Sequence, residues 1–175
     1  MKSGMIYKVL VTASLFVLGF STQGRSQASV TATATAEVIE ALRAAEVAAL
    51  NFGRFSPETA GGEIRITPDG VRMSQGTVTL SGGQYNPASF QLAGQSDATV
   101  SISLPQSSTI LTNLSTGKTM EVVRWEANNV TSIGTGVLTK GSLVLSIGAT
   151  LRVGTIADNP VGQYSGSYVI TFSCN

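Results

Sequence analysis

Few residues in this chain are equipped for chemistry. Its 175 residues include no histidine, one cysteine (Cys174) and 10 acidic side chains. Without imidazole the chain has no Ser-His-Asp or Cys-His arrangement and lacks the commonest metal ligand. Two carboxylates are enough for glycoside cleavage, but here the acidic residues are scattered and fall in no recognisable motif. Glu37, Glu40 and Glu46 read as a solvated face, because unpaired carboxylates are rarely buried. Asp69 precedes Gly70 and Asp158 precedes Asn159-Pro160, which is turn chemistry; calcium would need several convergent oxygen ligands. Asn113-Leu114-Ser115 and Asn129-Val130-Thr131 match the glycosylation triplet, which matters only in a host with that machinery. The reading is of a protein that is not an enzyme, with no catalytic residue, no cofactor and no metal. A carboxylate-dependent hydrolase is the weakest alternative.

Cys174 has no partner within the chain, so no intrachain disulfide can form. It reads either as an intermolecular bridge or as a small buried hydrophobe near the end of the last strand. The second is preferred, because unpaired cysteine is among the most buried residue types.

The elements that hold these residues begin after a leader. Met1, Lys2 and Lys8 precede an apolar run from Val9 to Phe20, and Ser26-Gln27-Ala28 closes a polar stretch, the pattern of a secretory signal peptide cleaved after Ala28. The run is shorter than the about 20 apolar residues a membrane span takes. The expected division is therefore residues 1–28 as signal peptide and 29–175 as one domain, secreted and without a membrane span. Removing the leader takes Lys2, Lys8 and Arg25, leaving eight basic against 10 acidic residues. That balance does not attract nucleic acid.

Beyond residue 28 the pattern is short alternating runs separated by Gly, Pro, Asn and Asp, the mark of an all-β sandwich or barrel. Glu63 to Thr67, Gly76 to Leu80, Ser89 to Leu92 and Thr99 to Leu104 are expected strands, with a turn at Pro68-Asp69-Gly70. Between Met120 and Trp125 the apolar phase switches faces, which predicts a bulge. Leu143, Leu145, Ile147, Ala149, Leu151 and Val153 make the longest apolar stripe and predict a central core strand. Tyr164, Tyr168, Ile170, Phe172 and Cys174 are expected on the core face of a terminal strand. Gln106 to Lys118 and Glu126 to Lys140 read as long loops. At the other end, Val30, Ala32, Ala34, Ala36 and Val38 share one face of an extended segment, 29–39, and Ser29, Thr31, Thr33, Thr35 and Glu37 the other. The strand reading runs to about Leu42 although Ala36 to Leu50 has helical propensity, and a helical turn is allowed near Arg43 to Ala48.

Separated segments taken together resemble a known group: Leu50-Asn51-Phe52-Gly53, and Gly162-Gln163-Tyr164-Ser165-Gly166-Ser167-Tyr168-Val169-Ile170-Thr171-Phe172. Between them Asp69-Gly70 leading into Gly76-Thr77-Val78, Ser89-Phe90, Ser101 to Pro105 and Ile147 to Gly154 follow in the same order. They resemble a family of secreted bacterial β-sandwich domains of unknown function and, more distantly, spore coat protein U and the archaic chaperone–usher pilins. The pilin branch keeps a cysteine pair that this chain lacks. The resemblance implies an immunoglobulin-like, pilin-like sandwich of antiparallel strands, in the periplasm or on the surface of a Gram-negative-type bacterium. Its implied partners are copies of itself or related subunits and a periplasmic chaperone. In such pilins an N-terminal extension completes the neighbouring subunit's sheet, a form of strand addition. Val30, Ala32, Ala34, Ala36 and Val38 are the candidate donor strand, and Tyr164, Tyr168, Ile170, Phe172 and Cys174 the candidate terminal core strand. Two placements of the donor fit equally: with a neighbouring subunit, or as an ordinary first strand of its own domain. The expected function is a structural or surface-assembly subunit. The alternative is a self-contained binding module whose loops contact a glycan or protein.

Overall fold

The computed structural model describes residues 27–131 and 134–174; the expected leader lies almost wholly outside them. The described elements are all strands: β1 Arg43–Ala48, β2 Phe55–Ile66, β3 Arg72–Leu80, β4 Ala88–Ala93, β5 Thr99–Ser103, β6 Thr109–Asn113, β7 Thr119–Ala127, β8 Thr135–Val137, β9 Ser142–Val153, β10 Tyr164–Ser165 and β11 Thr171–Cys174. Every pairing between them is antiparallel. The fold is an all-β sandwich: one sheet of eight strands runs β1-β4-β9-β7-β6-β10, with β2 joining β9 and β3 joining β2, and a second sheet of three strands runs β11-β5-β8.

β9 organises the large sheet. Its first half pairs β4, from Ala88↔Ile147 to Ala93↔Ser142, and its second half pairs β2, from Gly62↔Val153 to Ile66↔Ala149. Its other edge pairs β7. The apolar stripe faces inward as its alternation predicts: Leu145, Ile147, Ala149, Leu151 and Val153 are buried. The phase switch in β7 is a bulge. Val122 opposes Leu151 and Arg124 opposes Thr150, so Val123 is the extra residue, and Val122 and Trp125 both face inward. The β2–β3 hairpin turns at Pro68-Asp69-Gly70, with Gly70 at φ 82° and its N–H donating to the Thr67 carbonyl at 2.9 Å. Glycine takes that left-handed geometry without a Cβ penalty.

The core divides in two. One cluster gathers Phe52, Ile64, Ile66, Val78, Met120, Val122, Ala149, Leu151 and Val153 from the large sheet and the segment before it. The other gathers Ala88, Leu92, Val100, Ile102, Leu138, Leu145 and Ile147, and here β5 and β11 lie over β4 and β9. The three-stranded sheet thus covers the second cluster and contributes no residue to the first.

Five expectations are corrected. Residues 29–42 belong to no strand and are almost wholly exposed, Val30 at 89% and Val38 at 97%. The first strand is instead β1, where the sequence allows a helical turn: Arg43–Ala48 pairs β4 from Arg43↔Ala93 to Ala48↔Ser89, and that ladder outweighs a weak helical preference. The single terminal strand is two: β10 pairs β6 in the large sheet, residues 166–170 belong to no strand, and β11 pairs β5 in the small one. Along it Tyr164, Tyr168, Ile170 and Phe172 are half-buried, but Cys174 is exposed, at the end of an edge strand that pairs only with β5. Finally, the presumed loops contain β6 and β8; runs of three to five residues are too short to declare a period.

By contacts within the chain, Val38–Asn175 forms one compact unit.

Candidate functional site

The first core cluster opens to solvent through a cavity of about 810 Å³, with one wall from Leu50 to Pro57 and the other from Pro160 to Tyr168. Leu111, Met120, Val122 and Leu151 form an apolar floor, and Trp125 lies beside them.

Short-range chemistry builds the first wall. Asn51 and Asn86 exchange backbone hydrogen bonds at 3.0 Å, and the Asn86 Nδ2 donates to the Ala49 carbonyl at 2.6 Å. The Asn51 Oδ1 accepts from the Gly53 N–H at 2.9 Å, a local turn that a short amide or carboxylate side chain closes best. Phe52 drops into the core at 8% exposure. Gly53 has φ 73°, and a Cβ there would lie 2.8 Å from the Arg72 Nη1. Arg72, the first residue of β3, fills that space. Its guanidinium donates to the Arg54 carbonyl at 2.5 Å and the Ser81 carbonyl at 3.0 Å, and lies 5.1 Å from the centre of the Tyr85 ring. Burial lowers its pKa while Tyr85 opposes that shift; a guanidinium stays charged all the same. The Asn-Phe-Gly triplet therefore works as a unit: a turn, an anchor and a bare backbone on which an arginine clamp rests.

The second wall is tied down from the far end of the chain. Asn159 is buried at 4% exposure, accepting from the Gly154 N–H at 2.5 Å and donating to the Thr119 carbonyl at 2.7 Å. The Tyr164 hydroxyl donates to the Pro160 carbonyl at 2.9 Å. Tyr164 and Ser165 then pair with Asn113 and Thr112. Asp158 closes a turn with Thr155, whose hydroxyl donates to it at 2.7 Å, and these hydrogen bonds hold its carboxyl below the usual range.

Tyr168 and Trp125 meet in the cavity lining, ring centres 4.6 Å apart and tilted by 44°. The Trp125 Nε1 and the Tyr168 hydroxyl are sealed from solvent with no hydrogen-bond partner. Burial, and then the charge of Glu46, push the Tyr168 phenol up to about 12, so it is a neutral donor at any physiological pH.

The outer face of the large sheet carries charge. Arg65 pairs with Glu126 through two contacts of 2.5 Å, Arg124 with Glu63, and Arg152 with Glu121 at 3.3 Å. The hydrogen bond to Glu126 raises the Arg65 pKa further. These pairs are solvent-exposed and screened, so each adds little stability. Among the described residues no group of three or more Cys, Asp or Glu side chains is placed to hold a metal.

The structure brings Tyr164 and Tyr168 to the cavity and directs Ile170 and Phe172 to the second core cluster. Cys174 joins neither. The candidate donor residues Val30, Ala32, Ala34, Ala36 and Val38 are exposed. Sequence reasoning missed Arg72, Tyr85 and Asn86; a strand-initial arginine carries no periodic signal, since its role depends on a carbonyl 18 residues away.

Comparison with known proteins adds one match. No curated protein and no solved structure matches the chain. The family described as "Domain of unknown function (DUF4402)" matches residues 42–173, a span that starts just before β1 and holds both cavity walls. The chain belongs to this family of domains of unknown function, DUF4402.

Proposed function

We propose that the protein is a secreted, non-enzymatic assembly subunit in which Val30 to Val38 of one copy adds as a strand to the cavity of the next. One observation carries the reading: a cavity with an apolar floor, flanked by the two family-like segments, lies over the core cluster that the small sheet leaves uncovered, while a strand-patterned segment of the same chain is exposed and in no strand. Strand addition supplies main-chain hydrogen bonds for affinity and side-chain pockets for specificity. The three alanines each gain about 0.8 kcal/mol on burial and the two valines about 1.5–3 kcal/mol, so backbone pairing carries much of the docking. The distant resemblance to archaic pilins supports the same role and a periplasmic chaperone as a temporary occupant.

The test mixes wild type with Ala34→Asp. A charge on the apolar face of the donor costs several kcal/mol if that face is buried, so the variant accepts a strand but cannot donate one. Size-exclusion chromatography of the mixture is expected to show shorter assemblies than wild type alone. An unchanged wild-type profile would count against the proposal.

A second reading, a self-contained binding module, is supported by a cavity of about 730 Å³ on the outer face, lined by Glu63, Arg65, Arg124 and Glu126 over the buried Thr150. It differs in outcome: a glycan or protein ligand would bind wild type and Ala34→Asp equally.

A further inference from the structure

Two polar atoms in the cavity wall lack what buried polar atoms need. Nearly all buried N–H and O–H groups in folded proteins are hydrogen-bonded, and one left unpaired costs the free energy of its desolvation. The Trp125 Nε1 and the Tyr168 hydroxyl are both buried and both unpartnered, on two residues that line the same cavity with tilted rings whose centres lie 4.6 Å apart. Both sit where the backbone is irregular: Trp125 directly follows the β7 bulge, and Tyr168 lies in 166–170, which belongs to no strand. Tyr168 can therefore move without breaking a ladder.

From this pairing we infer that Trp125 and Tyr168 are the recognition gate of the cavity: the rings close on each other in the empty subunit and part when a strand enters, each giving its hydrogen bond to a backbone carbonyl of that strand. This rests on the strand-addition reading and names its specificity residues. The occupant must bring carbonyl acceptors close to two bulky rings, which requires small side chains beside them. Ala32, Ala34 and Ala36 fit that requirement, and a donor built of large residues would hold its backbone away. The weakness of the alanines as hydrophobic anchors thus has a counterpart in the close approach they permit.

Trp125 is the only tryptophan, and the segment Ser29 to Val38 contains no aromatic residue. Tryptophan emission, excited at the red edge where tyrosine does not absorb, therefore reports on Trp125 alone. The acceptor is the full chain carrying Ala34→Asp, and the probe is a synthetic peptide of residues 29–38. Titration is expected to shift the tryptophan emission saturably. Adding Tyr168→Phe to the acceptor is expected to weaken peptide binding about fivefold, the effect of one net hydrogen bond. The unfolding midpoint of the peptide-free chain should stay unchanged or rise, since an unpaired hydroxyl has been removed. Equal affinity with and without the hydroxyl would overturn the gate and leave strand addition standing. A fall in midpoint together with affinity would assign Tyr168 a packing role and also overturn the gate. If calorimetry detects no peptide binding to the Ala34→Asp chain, strand addition itself fails, and the gate with it.

Discussion

Gly53 and Arg72 show how a single position can carry a wall of the cavity. At Gly53 a side chain would meet both a left-handed φ and the Arg72 guanidinium. Gly53→Ala is expected to destabilise the chain by about 1–2 kcal/mol from the backbone alone, read as a lower denaturant midpoint at unchanged slope. Cys174 is the contrary case. Because it is exposed, Cys174→Ala should alter stability by no more than about 0.5 kcal/mol, measured by the same unfolding curve. Burial statistics for cysteine pointed the other way, since they carry no knowledge of which strand ends a sheet. Tyr168 gives a pH prediction. Its folded pKa lies above the ordinary value near 10, at about 12, so the unfolded chain loses this proton first as pH rises. The associated stability is fully present below about pH 10 and is lost as pH approaches 12. Thermal unfolding followed across that window should fall less steeply in Tyr168→Phe than in wild type.

Among the elements, those with a long clean period were legible from sequence and those without one were not. β9 has an inward stripe of six apolar positions from Leu143 to Val153, and the β7 bulge left its mark as a change of phase. β1 was obscured because RAAEVA satisfies a helical pattern as well as an extended one; only the β4 edge beside it decides. The break between β10 and β11 was hidden because Tyr164, Tyr168, Ile170 and Phe172 keep one phase across residues 166–170 despite Val169, and alternation does not say which sheet a strand joins. The far-ultraviolet circular dichroism spectrum is expected to show a single strand-type minimum. Helical minima would contradict β1 along with the rest of the fold.

At the scale of the whole molecule, the two core clusters differ in how they are covered, and that difference locates the site. The segments that flagged the family resemblance, at 50–53 and 162–172, supply parts of both walls, although nothing in their separate sequences said that they meet. Their distance along the chain has a consequence in time. One wall is made of residues 50–57, the other of residues 160–168, so the cavity cannot form until synthesis has passed both. At about 5–20 residues per second, Ser29 to Val38 leaves the ribosome roughly 6–25 seconds before the second wall exists. A chain delivered N-terminus first therefore exposes its strand-patterned segment before it owns a place where any such segment could bind.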